Sequence, residues 1–183
     1  MKKKLRNILV LAMGLMTTVS FAQDWDADSR TRIDMIVDAE EMSTAQRASG
    51  DATWGGSDWS IHGSTNVNYT LGTGNAATIG VYEAYASTDL MGYASVTVGR
   101  QALDYGSGAI MSSNQWGANR ATWDGFTFGL DLDMADVTLG YASTSGEDAD
   151  ISGKSQMWLN AAKGEGDWNA NLLYVSTTIG AAD

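Results

Sequence analysis

The residues of this chain that could do chemistry are few and scattered. His62 is the only histidine. Ser60 and Ser64 lie on its side of an extended segment, which raises the question of a serine nucleophile with a histidine base. Geometry argues against that pairing. Residues two apart in a strand stand ~7 Å apart, whereas proton transfer needs about 3 Å, so a polar histidine on a wet face is expected. Glu147, Asp148 and Asp150 crowd the acidic segment 145–154 and carry the hard oxygens that calcium prefers. Their spacing fits no EF-hand loop, and a solvated surface loop is expected instead. Tyr105-Gly106-Ser107-Gly108 lacks the strand–serine–helix context of a nucleophile elbow. There is no Walker A loop, dinucleotide fingerprint or zinc motif, and no cysteine for a disulfide framework or a thiolate site. These residues predict a protein that is not an enzyme, with no metal and no cofactor.

What positions the polar residues is read from alternation. Between residues 59 and 71 the odd positions are Trp59, Ile61, Gly63, Thr65, Val67, Tyr69 and Leu71; the even ones are Ser60, His62, Ser64, Asn66, Asn68 and Thr70. A strand sends successive side chains to opposite faces, so one face is apolar and aromatic and the other hydrophilic. A soluble sandwich buries such an apolar face, while a membrane barrel turns it to lipid and its polar face to a wet lumen. The first 22 residues bear on that choice. Lys2, Lys3, Lys4 and Arg6 precede an apolar stretch over 8–19, and Ser20-Phe21-Ala22 offers small residues at −3 and −1. This is the pattern of a secretory signal cleaved after Ala22. No later run of ~18 apolar residues predicts a helical span.

Loss of the four basic residues of the signal takes the formal charge from −11 to −15 and leaves Arg30, Arg32, Arg47, Arg100, Arg120, Lys154 and Lys163. That balance argues against nucleic acid as a partner, which needs a basic stripe, and against polybasic attraction to anionic lipid. The chain has no proline, as long paired strands require. Trp and Tyr, seven each against three Phe, are the aromatics favoured at membrane–water interfaces. The expected fold class is therefore all-β, an antiparallel transmembrane β-barrel built from residues 23–183.

Strands are expected over 31–38, 51–54, 59–71, 77–88, 92–103, 123–133, 137–142, 156–162 and 168–179, after an acidic lead at 23–30. Residues 39–50 read as a loop or one helical turn. In 77–88, Ile79 and Val81 share parity with Glu83 and Tyr85, so a bulge or a mixed face must intervene. Connections near 55–57, 89–91, 134–135 and 164–167 are short. Those near 39–50, 104–122 and 145–154 are long, and 72–76 is intermediate, which is the pattern of periplasmic turns and outer loops. Trp54, Trp59 and Trp168 fall beside short turns, and Tyr69, Tyr141 and Trp158 beside long ones, as two girdles. The strand count, about nine, is odd where bacterial barrels are even, and residues 179–183 end on no aromatic. Either one strand is miscounted in an eight-stranded barrel, or the sequence is the N-terminal portion of a larger one, which is the expectation preferred.

Gly99-Arg100-Gln101, Tyr105-Gly106-Ser107-Gly108, Trp116, Arg120 and Asp124-Gly125, with Glu83-Ala84-Tyr85 one strand earlier, resemble a signature of the alginate-export-like outer-membrane porins. The match covers roughly residues 77–133. The resemblance implies a large barrel of about 18 strands in the bacterial outer membrane. It also implies passage of solutes as the activity, with outer-membrane lipid and small polar solutes as partners. Family members that handle anionic polysaccharide carry Arg just after Tyr-Gly-x-Gly; here Ala109 and Ile110 follow. The porin architecture is carried over and the alginate function is not.

In a pore, charge, radius and hydrogen bonding along the lining decide what passes. The lining candidates are Asn66, Asn68, Glu83, Tyr85, Gln101 and Asp131, with Arg100 at a strand–loop boundary and Arg120 and Asp124 where loop 104–122 re-enters. That loop is expected to fold inward and narrow the pore. Arg100 and Arg120 would face carboxylates such as Asp104 and Asp124 in a transverse field, or the pairs would only pin the loop to the wall. A net-negative lumen predicts preference for cations or neutral polar solutes. The alternative is a secreted or surface β-sandwich adhesin. Homo-oligomerisation stays open, since nothing in the sequence marks a trimer face.

Overall fold

The computed structural model describes residues 23–36, 41–74, 76–117, 120–144, 154–165 and 167–178. They form nine strands: β1 (Gln23–Ile36), β2 (Glu41–Gly55), β3 (Trp59–Thr70), β4 (Thr78–Leu90), β5 (Ala94–Gln101), β6 (Trp123–Leu132), β7 (Ala135–Thr144), β8 (Lys154–Glu165) and β9 (Trp168–Thr178). Each strand pairs antiparallel with the next, giving one sheet in the order β1 to β9, and no helix occurs among the described residues. The signal expected over 1–22 and the acidic residues Glu147, Asp148 and Asp150 lie outside the described residues.

Two expectations are corrected. Residues 23–30 are the first part of β1, and 41–50 belong to β2 rather than to a loop or helical turn. The two strands pair along their whole length, from Gln23 opposite Trp54 to Ile36 opposite Glu41. Neither stretch carries a run of alternating large apolar residues, so neither signals a strand by itself. β3 supplies the ladder on which β2 forms, and β2 supplies the one for β1. Strand formation here is decided by neighbours rather than by propensity.

Short connections all fall at one end of the sheet, after β2, β4, β6 and β8, and the longer ones at the other. The β4–β5 turn shows why such a connection is tight. In this three-residue connection Met91 and Gly92 both have positive φ (60° and 77°), and the Tyr93 N–H closes the turn on the Leu90 carbonyl at 3.3 Å. Asp89 fastens the turn by accepting the Gly92 N–H at 2.5 Å.

The two faces of the sheet differ in chemistry. On β3 the odd residues Trp59, Ile61 and Tyr69 are exposed, while Ser64 on the other face is buried. Of the bulge or mixed face that parity demands in β4, the bulge occurs, at Tyr82. Ser64 pairs with Glu83 and Thr65 with Val81, so Tyr82 is the extra residue. It leaves Ile79 and Val81 on the exposed apolar face and sends Glu83 and Tyr85 to the polar one.

The connection 102–122 lies over the polar face. Met111 packs with Ala142 and Trp158 beneath it, and Leu103, Tyr105, Trp123, Leu173 and Val175 surround them. Trp158 is thus 3% exposed on the covered face, not part of a girdle. Its parity is that of Gln156 and Asn160, and its indole lies across Gly140, where any Cβ would overlap the ring. Burying a side chain of this size contributes roughly 1.5–3 kcal/mol.

Candidate functional site

The covered face is organised in rungs by strand register. Asp24, Thr53, His62 and Tyr85 form the first, nearest the short turns; Asp26, Asp51, Ser64 and Glu83 form the second. Asp28, Ser49 and Asn66 make the third, and Arg30, Arg47 and Asn68 the fourth. Rungs on one face are ~7 Å apart. The face therefore changes sign along the strands, from carboxylates to guanidiniums, within about four rungs.

His62 is held on three sides. Its Nδ1 lies 2.8 Å from the Thr53 hydroxyl, its ring stacks on Tyr85 at 4.8 Å, and its Nε2 is 3.8 Å from Glu83. Glu83 also accepts the Ala102 N–H at 3.0 Å, at the start of the loop. The Ser64 hydroxyl has no hydrogen-bond partner, so it is not coupled to His62.

Three arginines hold the far end of the loop. Arg30 donates to the carbonyls of Gln115, at 2.7 Å, and Trp116, and Arg47 donates to the same Gln115 carbonyl at 2.8 Å. Arg120 donates to the Gln115 side chain at 3.1 Å, to Ser49 at 3.3 Å and to Asn66, with its guanidinium 3.3 Å above the Tyr82 ring. None of the three is ion-paired with a carboxylate among the described residues. Arg32, one rung further, is neutralised by Asp34 at 2.7 Å.

The loop also ties itself. Asp104 accepts Ser112 Oγ at 2.7 Å, Ser113 N–H at 2.9 Å and the Ser113 hydroxyl. Burial pushes the Asp104 carboxyl up, but these Ser113 and Ser112 donors outweigh it and hold the pKa below the ordinary 3.8. Tyr105 accepts the Trp158 indole N–H at 3.0 Å. Burial raises the Tyr105 phenol above its ordinary 10.0, partly offset by that bond.

The residues expected to line a pore divide between the two faces. Asn66, Asn68, Glu83, Tyr85, Gln101 and Asp131 lie on the covered face, as does Arg120 through its contact with Asn66. Gln101 is buried and accepts the Thr127 hydroxyl at 3.1 Å. Asp131 stands opposite Asp136 at the short-turn end, away from the loop. Arg100 faces Asp124, one of the expected pairs, but the two lie on the opposite face from the other candidates. They make a two-pronged pair, both bonds at 2.7 Å, on the face that carries Val98 and Phe126. Their parity dictates this: each is two residues from an exposed apolar neighbour. Asp104 consequently meets serines rather than Arg100, and Arg120 meets amides and a hydroxyl rather than Asp124.

Sequence reading passed over Asp26, Asp28, Arg30, Arg47, Asp51 and Tyr82. The signal was present in the alternation of β1, where Asp24, Asp26, Asp28, Arg30 and Arg32 take every second position. No known protein family matches the chain, and neither does any curated protein.

Proposed function

We propose that this chain forms the wall of an outer-membrane β-barrel pore, of the alginate-export-like kind, which passes small polar solutes and has no catalytic role. One observation carries the reading: the sheet is inverted relative to a soluble protein. Ile61, Ile79, Val98, Phe126, Leu139 and Leu172 stand exposed on one face, while Arg47, Ser49, Ser64, Gln101 and Asn160 are buried under the loop on the other. In water each Å² of exposed apolar surface forgoes about 25 cal/mol; against lipid tails that penalty vanishes. Strands of 8 to 15 residues suit a tilted span of ~9–11. Trp54, Trp59 and Trp168 at the short-turn end, and Tyr69 and Tyr141 at the other, suit the two interfaces.

Lipid offers no hydrogen bonds to a strand edge. The outer strands β1 and β9 therefore find partners, in each other or in further strands, to close the wall. Outer-membrane lipid covers the apolar face, and solute passes along the polar face beside loop 102–122. The change of sign along that face makes the lining bipolar rather than uniformly negative, which favours weak ion selectivity.

Planar-bilayer recording of the purified full chain tests the reading, alongside its electrophoretic mobility before and after boiling. Stepwise conductance and a heat-dependent shift in mobility are expected. A chain that stays monomeric in detergent-free buffer and opens no channels would overturn it in favour of a β-sandwich adhesin.

A further inference from the structure

Strict alternation lets one residue in two face the loop, and β4 departs from it at one place. Tyr82 and Glu83 are neighbours in the chain, yet both line the cavity of about 610 Å³ beneath segment 102–122. A regular strand sends such neighbours to opposite faces. The extra residue in β4 lets both point the same way. The two hold different parts of the loop. Glu83 accepts the Ala102 N–H at 3.0 Å, where the chain leaves β5. Tyr82 carries the Arg120 guanidinium 3.3 Å above its ring, just before the chain enters β6. That ring is 5% exposed, so its face is given to the loop rather than to water, and a cation over an aromatic face is held most firmly where water is excluded. Arg120 extends the grip across the wall by donating to Ser49 on β2 and Asn66 on β3.

We infer that the β4 bulge is a clasp for the loop. By turning Tyr82 and Glu83 to one face, it seats both feet of segment 102–122 on adjacent residues of the wall and fixes how the loop stands over that face. In a regular strand only one of the two feet would find its seat on β4. Tyr82 is thus a positioning residue that acts through Arg120. The inference deepens the pore reading and rests on it for one consequence alone, that the clasp sets the width of the passage beside the loop.

The experiment is amide hydrogen exchange of the full chain in detergent micelles, with single-channel conductance recorded on the same variants. Tyr82→Leu keeps the extra residue and an apolar side chain but removes the aromatic face from beneath Arg120. The Ala102 N–H should then exchange about tenfold faster, and the conductance step should rise, while amides within β3 and β7 keep their protection. Tyr82→Phe keeps the ring, and Ala102 exchange should stay within about threefold of the unaltered chain. Deleting Tyr82 should accelerate Ala102 as Tyr82→Leu does, with the strands still protected. Unchanged Ala102 exchange in Tyr82→Leu or in the deletion, equal acceleration in Tyr82→Phe, or strand amides that lose protection along with Ala102 overturns the clasp. Exchange is read without conduction, so a chain that opens no channels overturns the pore reading alone. Equal conductance with and without the Tyr82 ring overturns the clasp as the feature that sets the width of the passage.

Discussion

Replacing Met111 with alanine isolates what holds the loop down. Met111 is 2% exposed and packs on Trp158 and Ala142 without any polar contact from its side chain. Truncation removes its terminal atoms and leaves a gap beneath the loop, and Met→Ala in a packed site costs ~2–5 kcal/mol. The strands keep every ladder hydrogen bond, so the cost falls on loop docking. At about 1.4 kcal/mol per factor of ten, the undocked population rises roughly 30- to 4,000-fold. Amide hydrogen exchange of the full chain in micelles reads this directly. The Tyr105 N–H is bonded to the Met111 carbonyl at 3.2 Å, and the Ala121 N–H to the Ser113 carbonyl at 2.8 Å. The Ala102 N–H, bonded across to the Glu83 carboxylate on β4 at 3.0 Å, is freed when the loop lifts, and its exchange accelerates by that factor until it reaches the unprotected rate, while the two bonds internal to the loop serve as the comparison. Amides within β3 and β7 stay unchanged. Ile110→Ala is the control: its side chain is 68% exposed, and such a change moves stability by about 0.5 kcal/mol, or less than about threefold. Equal acceleration in both variants, or none in Met111→Ala, would refute the assignment of the apolar cluster as the anchor.

Four further outcomes are expected. Because Asp104 is more acidic in the docked loop than when free, its contribution is complete above 3.8 and lost as pH falls through the lower docked value; Tyr105 amide protection should drop below about pH 4, and Asp104→Asn should abolish that dependence. Arg100→Ala breaks a pair at the loop end of the apolar face, beside the interface of the proposed barrel, so stability should change by no more than ~1 kcal/mol and the bilayer reversal potential should not move; a shift in that potential would return Arg100 to the lining. Gly140→Val drives a side chain into the Trp158 ring and should cost ~1–3 kcal/mol, read as a lower temperature for the mobility shift on heating; an unchanged temperature contradicts the close approach. Deleting Tyr82 removes the extra residue and makes Val81 and Glu83 neighbours on opposite faces, as plain alternation requires, so the folded band should persist in unboiled gels; its disappearance would contradict Tyr82 as the bulge.

Large parts of the sheet were legible in the sequence because their two faces differ sharply. β3 announces itself by Trp59, Ile61 and Tyr69 alternating with His62, Ser64 and Asn66. The clash of parity between Val81 and Glu83 called for a bulge or a mixed face, and the bulge is what occurs. β2 was illegible for a physical reason. Over 41–50 its apolar-face residues, Met42, Thr44, Gln46, Ala48 and Gly50, include one large hydrophobe, so period two carries almost no contrast there. Arg100 and Trp158 were misplaced for a different reason. Their parity with Val98 and with Asn160 was available, but boundary position and residue type were weighted above it. The cluster of Arg30, Arg47 and Arg120 could not be read from any window, since Gln115 joins residues 68 and 85 positions away.

The contacts of loop 102–122 also order events in time. Every strand pairs with its sequence neighbour, so hairpins can zip one after another as the chain is delivered, each closing only a short stretch. The loop obeys another clock. Its arginine seat lies in β1 and β2, while Tyr105 is held by Trp158 on β8. Docking therefore waits until the sheet is built through β8, and the seated loop is a latch that engages only on a finished wall.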